Sequence, residues 1–459
     1  DLRIGGLAPG CCCAAAHLER PGKKELEHLD LDDCISFYLW GNRQLAKNGH
    51  HLRITPAAEG PFAGSVSAAN LVIGNLYRAG LPEERYRFYM GQALCIRACL
   101  YFQIIRLWGD APLVLEYEDI SEKGRTPWRE IAGHIVADLL LAAEYLPPAD
   151  QLKDPEGKPL TARQIPGRGT AYAILAGVYA WIAGYGQEPE YYALGIEAAG
   201  KVIGDPNYRL VASPEEVCTE VLPGNSEEGI FEVCYDDSRG EYKDFGSYIG
   251  GTVEKWPVLK GTTPASRRKF FIRNETVERL YTPEDLRLQA YFADFFRMKE
   301  EPVSVTQGAA YVRMWREVEY YSGGIYDGTP RTLLANDILI RLPDILLLRA
   351  EMKAATGDRE GAVADLDVVR RRAGVAGYSE AEGDLRRAIQ LERDRELLFQ
   401  TGVRYFDYMR NHTYNLLKGG FRDLTETDVA AGALFLPVSL DAMNNNPKVK
   451  QTAYWVGKF

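Results

Sequence analysis

Four groups of side chains in this sequence have the type and spacing to do chemistry: adjacent carboxylates, close cysteines, a dense run of ions and a surplus of aromatic rings. Glu227-Glu228 and Asp236-Asp237 offer the residue type of glycoside hydrolysis, where two carboxyl groups flank the bond that breaks. Adjacent acids on an extended chain point to opposite faces, so both pairs are expected in solvated loops. Cys95 and Cys99 share one helical face and read as small buried hydrophobes rather than a redox or metal pair. Cys11-Cys12-Cys13 make poor chelate geometry, even with His17, His28 and Cys34 nearby. The run Glu392-Arg393-Asp394-Arg395-Glu396 reads as salt bridging on a helix packed between hairpins. There is no G-x-S-x-G, H-E-x-x-H or phosphate-cradling glycine loop, and only six histidines. No catalytic set, metal site or cofactor is therefore expected, and the chain reads as a non-enzyme.

The aromatics are more informative. The chain holds 27 Tyr and 7 Trp, flat amphipathic side chains that serve either a core or a ligand surface. Sugar recognition needs such a surface for the C–H face of a pyranose, with amides, carboxylates or guanidinium groups for its hydroxyls. Candidate ligand-binding residues are Tyr242, Tyr248, Trp256, Trp315, Tyr320, Tyr321 and Tyr326 in the middle of the chain, with Trp40 and Asn42 earlier. For each, ordinary core or loop packing is the competing reading. Trp108, Trp128 and Trp181 lie on hairpin helices and are expected to be structural.

These residues need a scaffold. With 459 residues and 46% hydrophobic content, the chain can build one large domain or two to three ordinary ones. A net charge of −10 argues against nonspecific nucleic-acid binding. Eight cysteines in this length do not make a disulfide scaffold. No run of about 18 uninterrupted apolar residues suggests a membrane-spanning helix. No signal peptide is visible, and a chain that opens on Asp1 reads as a mature or truncated product.

Residues 1–65 are hard to read beyond a helix over Cys34–Leu45. Apolar periodicity then predicts helices over Asn70–Ala79, Arg85–Leu107 and Trp128–Leu146, the last capped by Thr126 with Pro127 at its first position. "GRGTAYAILAGVYAWIAGYGQEPEYYALGIEAAGKVIGD" predicts two helices whose small residues face large ones, as in tetratricopeptide-type hairpins. The same logic returns at Arg341–Gly374, and a last helical pair follows in Leu385–Met409. The expected fold is mainly α: about four tetratricopeptide-like hairpins forming a scaffold, made non-contiguous by a loop-rich insert with short strands. The divisions are 1–65, 66–206 (scaffold, first half), 207–340 (aromatic insert) and 341–459 (scaffold, second half). Because loops on a rigid scaffold carry function, the binding site is sought in the insert.

Several stretches resemble one family, and in its order. "YRFYMGQALCIRACLYFQIIRLWGDAPLV" resembles the aromatic-rich helix of the SusD/RagB family, which ends in aromatic-Gly-Asp-x-Pro. "RTPWREIAGHIVADLLLAAEYLP", "EGIFEVCY", "LYTPEDLRLQAYF" with Asp285 and Arg287, "IQLERDRELLFQTGVRYFDYMR" and "LFLPVSLDAMNNNPKVKQTAYW" are similar to later family elements. The resemblance spans roughly residues 70–455, departing at Ser439, where proline is usual, and at Asp441 or Ala442, where glutamate is usual. Residues 1–65 do not resemble the family's lipid-modified cysteine and tether, and Cys11–Cys13 are anchor candidates only by position.

The resemblance implies a nutrient-binding lipoprotein of the outer membrane, facing outward from the cell. It would bind a glycan or oligosaccharide and act as the lid of a SusC-like TonB-dependent barrel transporter. A member capturing oligopeptides is the alternative. Outside the family, the rivals are an intracellular tetratricopeptide-type peptide-binding adaptor and an all-helical glycoside hydrolase. The corner Trp108-Gly109-Asp110-Ala111-Pro112 is read as architectural: Gly109 left-handed at the helix end, Asp110 capping free amides of the turn, Pro112 preventing a restart.

Overall fold

The computed structural model describes residues 61–234, 243–244, 260–262, 272–306, 308–333, 335–400, 403–417 and 421–458. The expected helix over Cys34–Leu45, the Cys11–Cys13 run and Asp236-Asp237 lie outside them. The scaffold helices are α1 (Pro61–Asn75), α2 (Glu83–Trp108), α3 (Trp128–Tyr145), α4 (Arg168–Gly184), α5 (Tyr191–Ile203), α6 (Leu342–Thr356), α7 (Arg359–Arg372), α8 (Leu385–Glu396) and α9 (Val403–Arg410). The first helix thus begins before the expected boundary at residue 65 and ends in a short 3-10 turn, Leu76–Ala79.

Helix α2 is the spine. Glu83 and Glu84 sit at its positive end and Arg106 at its negative end, as the macrodipole favours. It is long and apolar enough to cross a bilayer, yet 78% of its most apolar stretch is buried inside the fold, so it is a core helix. Cys95 and Cys99 are free thiols on it, and burial pushes the Cys99 thiol up to about 11.

The hairpins are contiguous in space, although the insert separates them in sequence. Helices α2 to α5 pack in succession, α5 lies directly on α6, and α6 packs on α7 and α8. Gly195 makes the α5–α6 approach possible: a Cβ there would stand 2.4 Å from the Met352 sulfur. The α6–α7 turn is written locally. Gly357 takes the left-handed conformation that ends α6, and the Asp358 side chain accepts the Gly361 amide to start α7.

From Gly229 onward the insert leaves and returns at one place. Strand β1 (Gly229–Val233) pairs antiparallel with β7 (Asp337–Arg341), joining Gly229 to Arg341 and Val233 to Asp337. Between them, β2 (Lys243–Asp244), β5 (Val318–Tyr320) and β6 (Pro330–Leu333) form a three-stranded sheet in the order β2-β6-β5. Strands β3 (Ile272–Arg273) and β4 (Ala309–Ala310) pair with each other. The insert carries its own hydrophobic cluster, which includes Val217, Tyr291, Phe292, Val312, Met314 and Trp315.

A buried ionic lattice joins insert to scaffold. Glu228, one residue before β1, meets Arg341 at 2.7 Å and Arg372 at 2.8 Å. Glu396 meets Arg341 at 2.5 Å and also pairs with Arg372, while Arg287 holds Glu392 at 2.6 Å and Asp285 at 2.8 Å. Burial opposes the Glu396 carboxylate, but Arg372, Arg341 and Arg287 outweigh it and hold it down to about 2. The expectation of salt bridging for the Glu392–Glu396 run therefore holds. The expectation of a solvated loop holds for Glu227, whose side chain is exposed beside Arg209, and fails for Glu228, which is fully buried. Adjacent side chains do point apart here, but one of the two directions is the interior.

The corner after α2 differs from its expected form in two respects. Gly109 has φ +69° and ψ −121°, a glycine region other than the left-handed helical one, with Phe435 against the place a Cβ would take. Pro127, not Thr126, occupies the cap position of α3. Asp110 accepts the Trp128 amide at 2.9 Å, while Thr126 pairs backbone to backbone with Ala111. The C-terminal segment seals this corner: the Leu436 amide donates to the Leu107 carbonyl at 2.8 Å.

Candidate functional site

The aromatic surface that the structure describes is the β5–β6 hairpin. Val318 pairs with Leu333, Glu319 with Thr332 and Tyr320 with Pro330, with a register shift between Glu319 and Tyr320. Beyond the strands the loop is closed by its own backbone. The Tyr321 amide donates to Thr329 O and the Gly328 amide to Tyr321 O, both at 2.9 Å. Asp327 accepts the Gly323 amide at 2.6 Å. Gly323, Gly324 and Gly328 have φ of +81°, +75° and +72°, conformations that let so short a loop turn back on itself.

This frame holds aromatic rings outward. Tyr320 is 38% exposed, Tyr321 43%, Tyr326 60% and Ile325 90%. The Tyr321 and Tyr326 rings lie 5.7 Å apart at 40°, so they form a cupped pair rather than two independent rings. Arg331 and Glu319 form an ion pair at 2.8 Å on the hairpin below them, both side chains part-exposed. Apolar faces beside a carboxylate and a guanidinium can take the C–H face of a sugar and its hydroxyls. Among the described residues none encloses this surface, so contact area and stacking would have to supply the affinity there.

Of the residues singled out in the sequence, Tyr320, Tyr321 and Tyr326 are brought together. Trp40, Asn42, Tyr242, Tyr248 and Trp256 lie outside the described residues. Trp315 is corrected: at 4% exposure it belongs to the core of the insert and presents no face to a ligand. It follows Tyr311, Val312 and Met314, all buried, with Arg313 turned out among them. Ile325 was missed. As an isolated aliphatic residue between Gly324 and Tyr326 it gives no periodic signal. Trp108, Trp128 and Trp181 are buried, as expected for scaffold residues.

Residues 227–455 match the SusD family, and residues 59–180 match a family described as starch-binding and associating with the outer membrane. SusD-like protein P2 of Formosa agariphila is 31% identical over 118 residues, 25% of this chain and 21% of that protein. SusD-like protein P25 of the same organism is 35% identical over 82 residues, 17% and 16% of the two chains. The chain thus aligns with less than a quarter of the length of these curated relatives. Among solved structures, a SusD homolog from Bacteroides thetaiotaomicron superposes with a TM-score of 0.74 at 22% identity, covering 92% of this chain and 89% of that one. Surface glycan-binding protein A from Bacteroides uniformis gives 0.65 at 19% identity, covering 85% and 83%. At these identities the likeness is one of fold.

Proposed function

The chain belongs to the SusD family, and from that premise we propose that it captures oligosaccharides at the outer membrane without altering them. The observation that carries this reading is the cupped Tyr321–Tyr326 pair, held outward on a glycine-closed hairpin beside exposed Ile325. Soluble proteins rarely spend adjacent aromatic rings and an almost fully exposed isoleucine on a loop tip unless something covers them. A flat ligand with an apolar face and a polar edge fits that surface.

The remaining parts of the proposal follow from the family. The protein would be lipid-anchored, face outward and act as the lid of a SusC-like TonB-dependent barrel, with transport rather than hydrolysis as the outcome. An array of glycans and peptides, probed with the full chain, tests the ligand class. Retention of a glycan set supports the reading, and retention of peptides alone replaces it with the oligopeptide-capturing alternative. Surface proteolysis of intact cells tests the orientation: resistance to added protease contradicts an outward-facing lid.

A further inference from the structure

A cavity of about 540 Å³ opens beside the corner that ends α2, on the scaffold helices and not on the insert. It falls in the range of about 300–1,000 Å³ typical of small-molecule sites. Its floor is aromatic and buried, made by Trp108, Trp128 and Phe435. Its rim is polar and exposed, with Gln187 from the α4–α5 turn and His412 from the turn after α9. Tyr185 forms one wall, stacked between Trp181 at 4.7 Å and His412 at 6.1 Å.

The backbone is strained at this mouth. Among the described residues five non-glycine residues have positive φ, and two of them are Gln187 at +60° and His412 at +54°. They come from different turns, yet their side chains lie together, the Gln187 amide group 3.5 Å from His412 Nε2. Strain of this kind persists where the surroundings over-determine it, and it clusters at ligand sites.

The open hydrogen-bonding positions define the ligand. The Tyr185 hydroxyl has no partner among the described residues, and burial pushes its phenol up to about 12, so it stays a donor over the physiological range. Asp110 spends Oδ1 on the Trp128 amide and keeps Oδ2. The Gln187 amide turns one polar atom to His412 Nε2 and keeps the other. His412 Nε2 donates to the Gly184 carbonyl at 3.1 Å, which leaves Nδ1 as the ring nitrogen outside that bond. The Arg125 guanidinium is engaged by the Asp110 and Trp108 carbonyls and by Thr452, and Arg129 pairs with Glu188 and the Gly186 carbonyl, so neither is free to hold an anion beside the Asp110 carboxylate, while both disfavour a cation. What remains is a neutral molecule rich in hydroxyl groups with an apolar face.

We propose that this cavity is a second ligand site that takes a single neutral sugar ring, separate from the aromatic hairpin and independent of whether the hairpin binds glycan. The test is calorimetric titration of the full chain with glucose, the anionic glucuronate and the cationic choline. Expected is weak, saturable binding of glucose over both charged probes. Tyr185→Phe, which deletes one hydroxyl, should weaken glucose binding roughly 2- to 10-fold. Ala430→Trp at the exposed rim should abolish it with an unchanged melting temperature. The triple variant Tyr320→Ala, Tyr321→Ala, Tyr326→Ala should leave it intact, which separates this site from the hairpin. Absence of saturable glucose binding, equal binding of choline or glucuronate, loss in the hairpin variant, or indifference to Tyr185→Phe and Ala430→Trp each overturns the proposal.

Discussion

Arg341 and Glu228, 113 positions apart in sequence, face each other across the foot of the insert with Nη1 and Oε1 at 2.7 Å. Both are buried, and both have further partners, so neither charge is left bare. Removing one member of such a pair leaves the other charge in the interior, which is the expensive event. Glu228→Gln is expected to lower stability by about 3–5 kcal/mol, read from urea denaturation at neutral pH. A change below about 1 kcal/mol would mean that the lattice is reorganised at little expense.

Acid should attack the same lattice. The Glu396 carboxyl lies at about 2 in the folded chain, below the value of about 4.3 expected unfolded. A depressed folded value stabilises above the unfolded one, and that stabilisation is lost as pH falls. On the order of 3 kcal/mol is therefore present above about pH 4.5 and is lost progressively toward pH 2. Melting temperatures recorded from pH 6 to pH 2 check this, and Glu396→Gln should flatten the fall as well as lowering the plateau.

The hairpin prediction separates binding from folding. Tyr321 and Tyr326 are exposed, and their rings pair with each other. Replacing both by Ala should abolish retention on the glycan that the wild-type chain binds, while the melting temperature stays put. Trp315→Ala should do the reverse, costing about 3–5 kcal/mol by emptying part of the insert's core.

Gly109 offers a fourth measurement. A Cβ at this position meets a Phe435 ring carbon at 2.9 Å and requires a side chain at φ +69°. Gly109→Ala should destabilise by about 1–3 kcal/mol. Adding Phe435→Leu relieves the collision but not the backbone strain, so the two changes should be sub-additive in a thermal double-mutant cycle.

Much of the scaffold can be read from local pattern. The apolar residues of α2, the small-against-large faces of α4 and the Gly357-Asp358 junction are each determined within one or two turns of helix. What escapes is non-local. That α5 lies on α6 depends on a separation of well over a hundred residues, and no periodicity reports it. Glu228 was misplaced because side-chain alternation says which way a residue points but not what lies there. Asp110 displaced Thr126 as the partner of α3 because a backbone bridge between Ala111 and Thr126 brings the carboxylate round to the helix start. At the site, Trp315 and Tyr320 were equal candidates by composition. Only the cluster around the one and the register shift before the other tell them apart.

The pairing of β1 with β7 has a bearing on how such a protein changes over time. Because the chain departs and re-enters through adjacent backbone positions, Gly229 opposite Arg341, the loops between them can lengthen, shorten or exchange rings without moving a scaffold helix, provided that Asp285 and Arg287 keep their place against Glu392 and Glu396. The price of such freedom is concentrated in few residues, those of the ion lattice at the threshold. Diversification of what is recognised should therefore concentrate in the loops between these two strands, while Glu228, Asp285, Arg287, Arg341, Arg372, Glu392 and Glu396 stay as they are. Exchanging the whole segment between two members of the fold, cut at this threshold, is the engineering route that the architecture itself marks out.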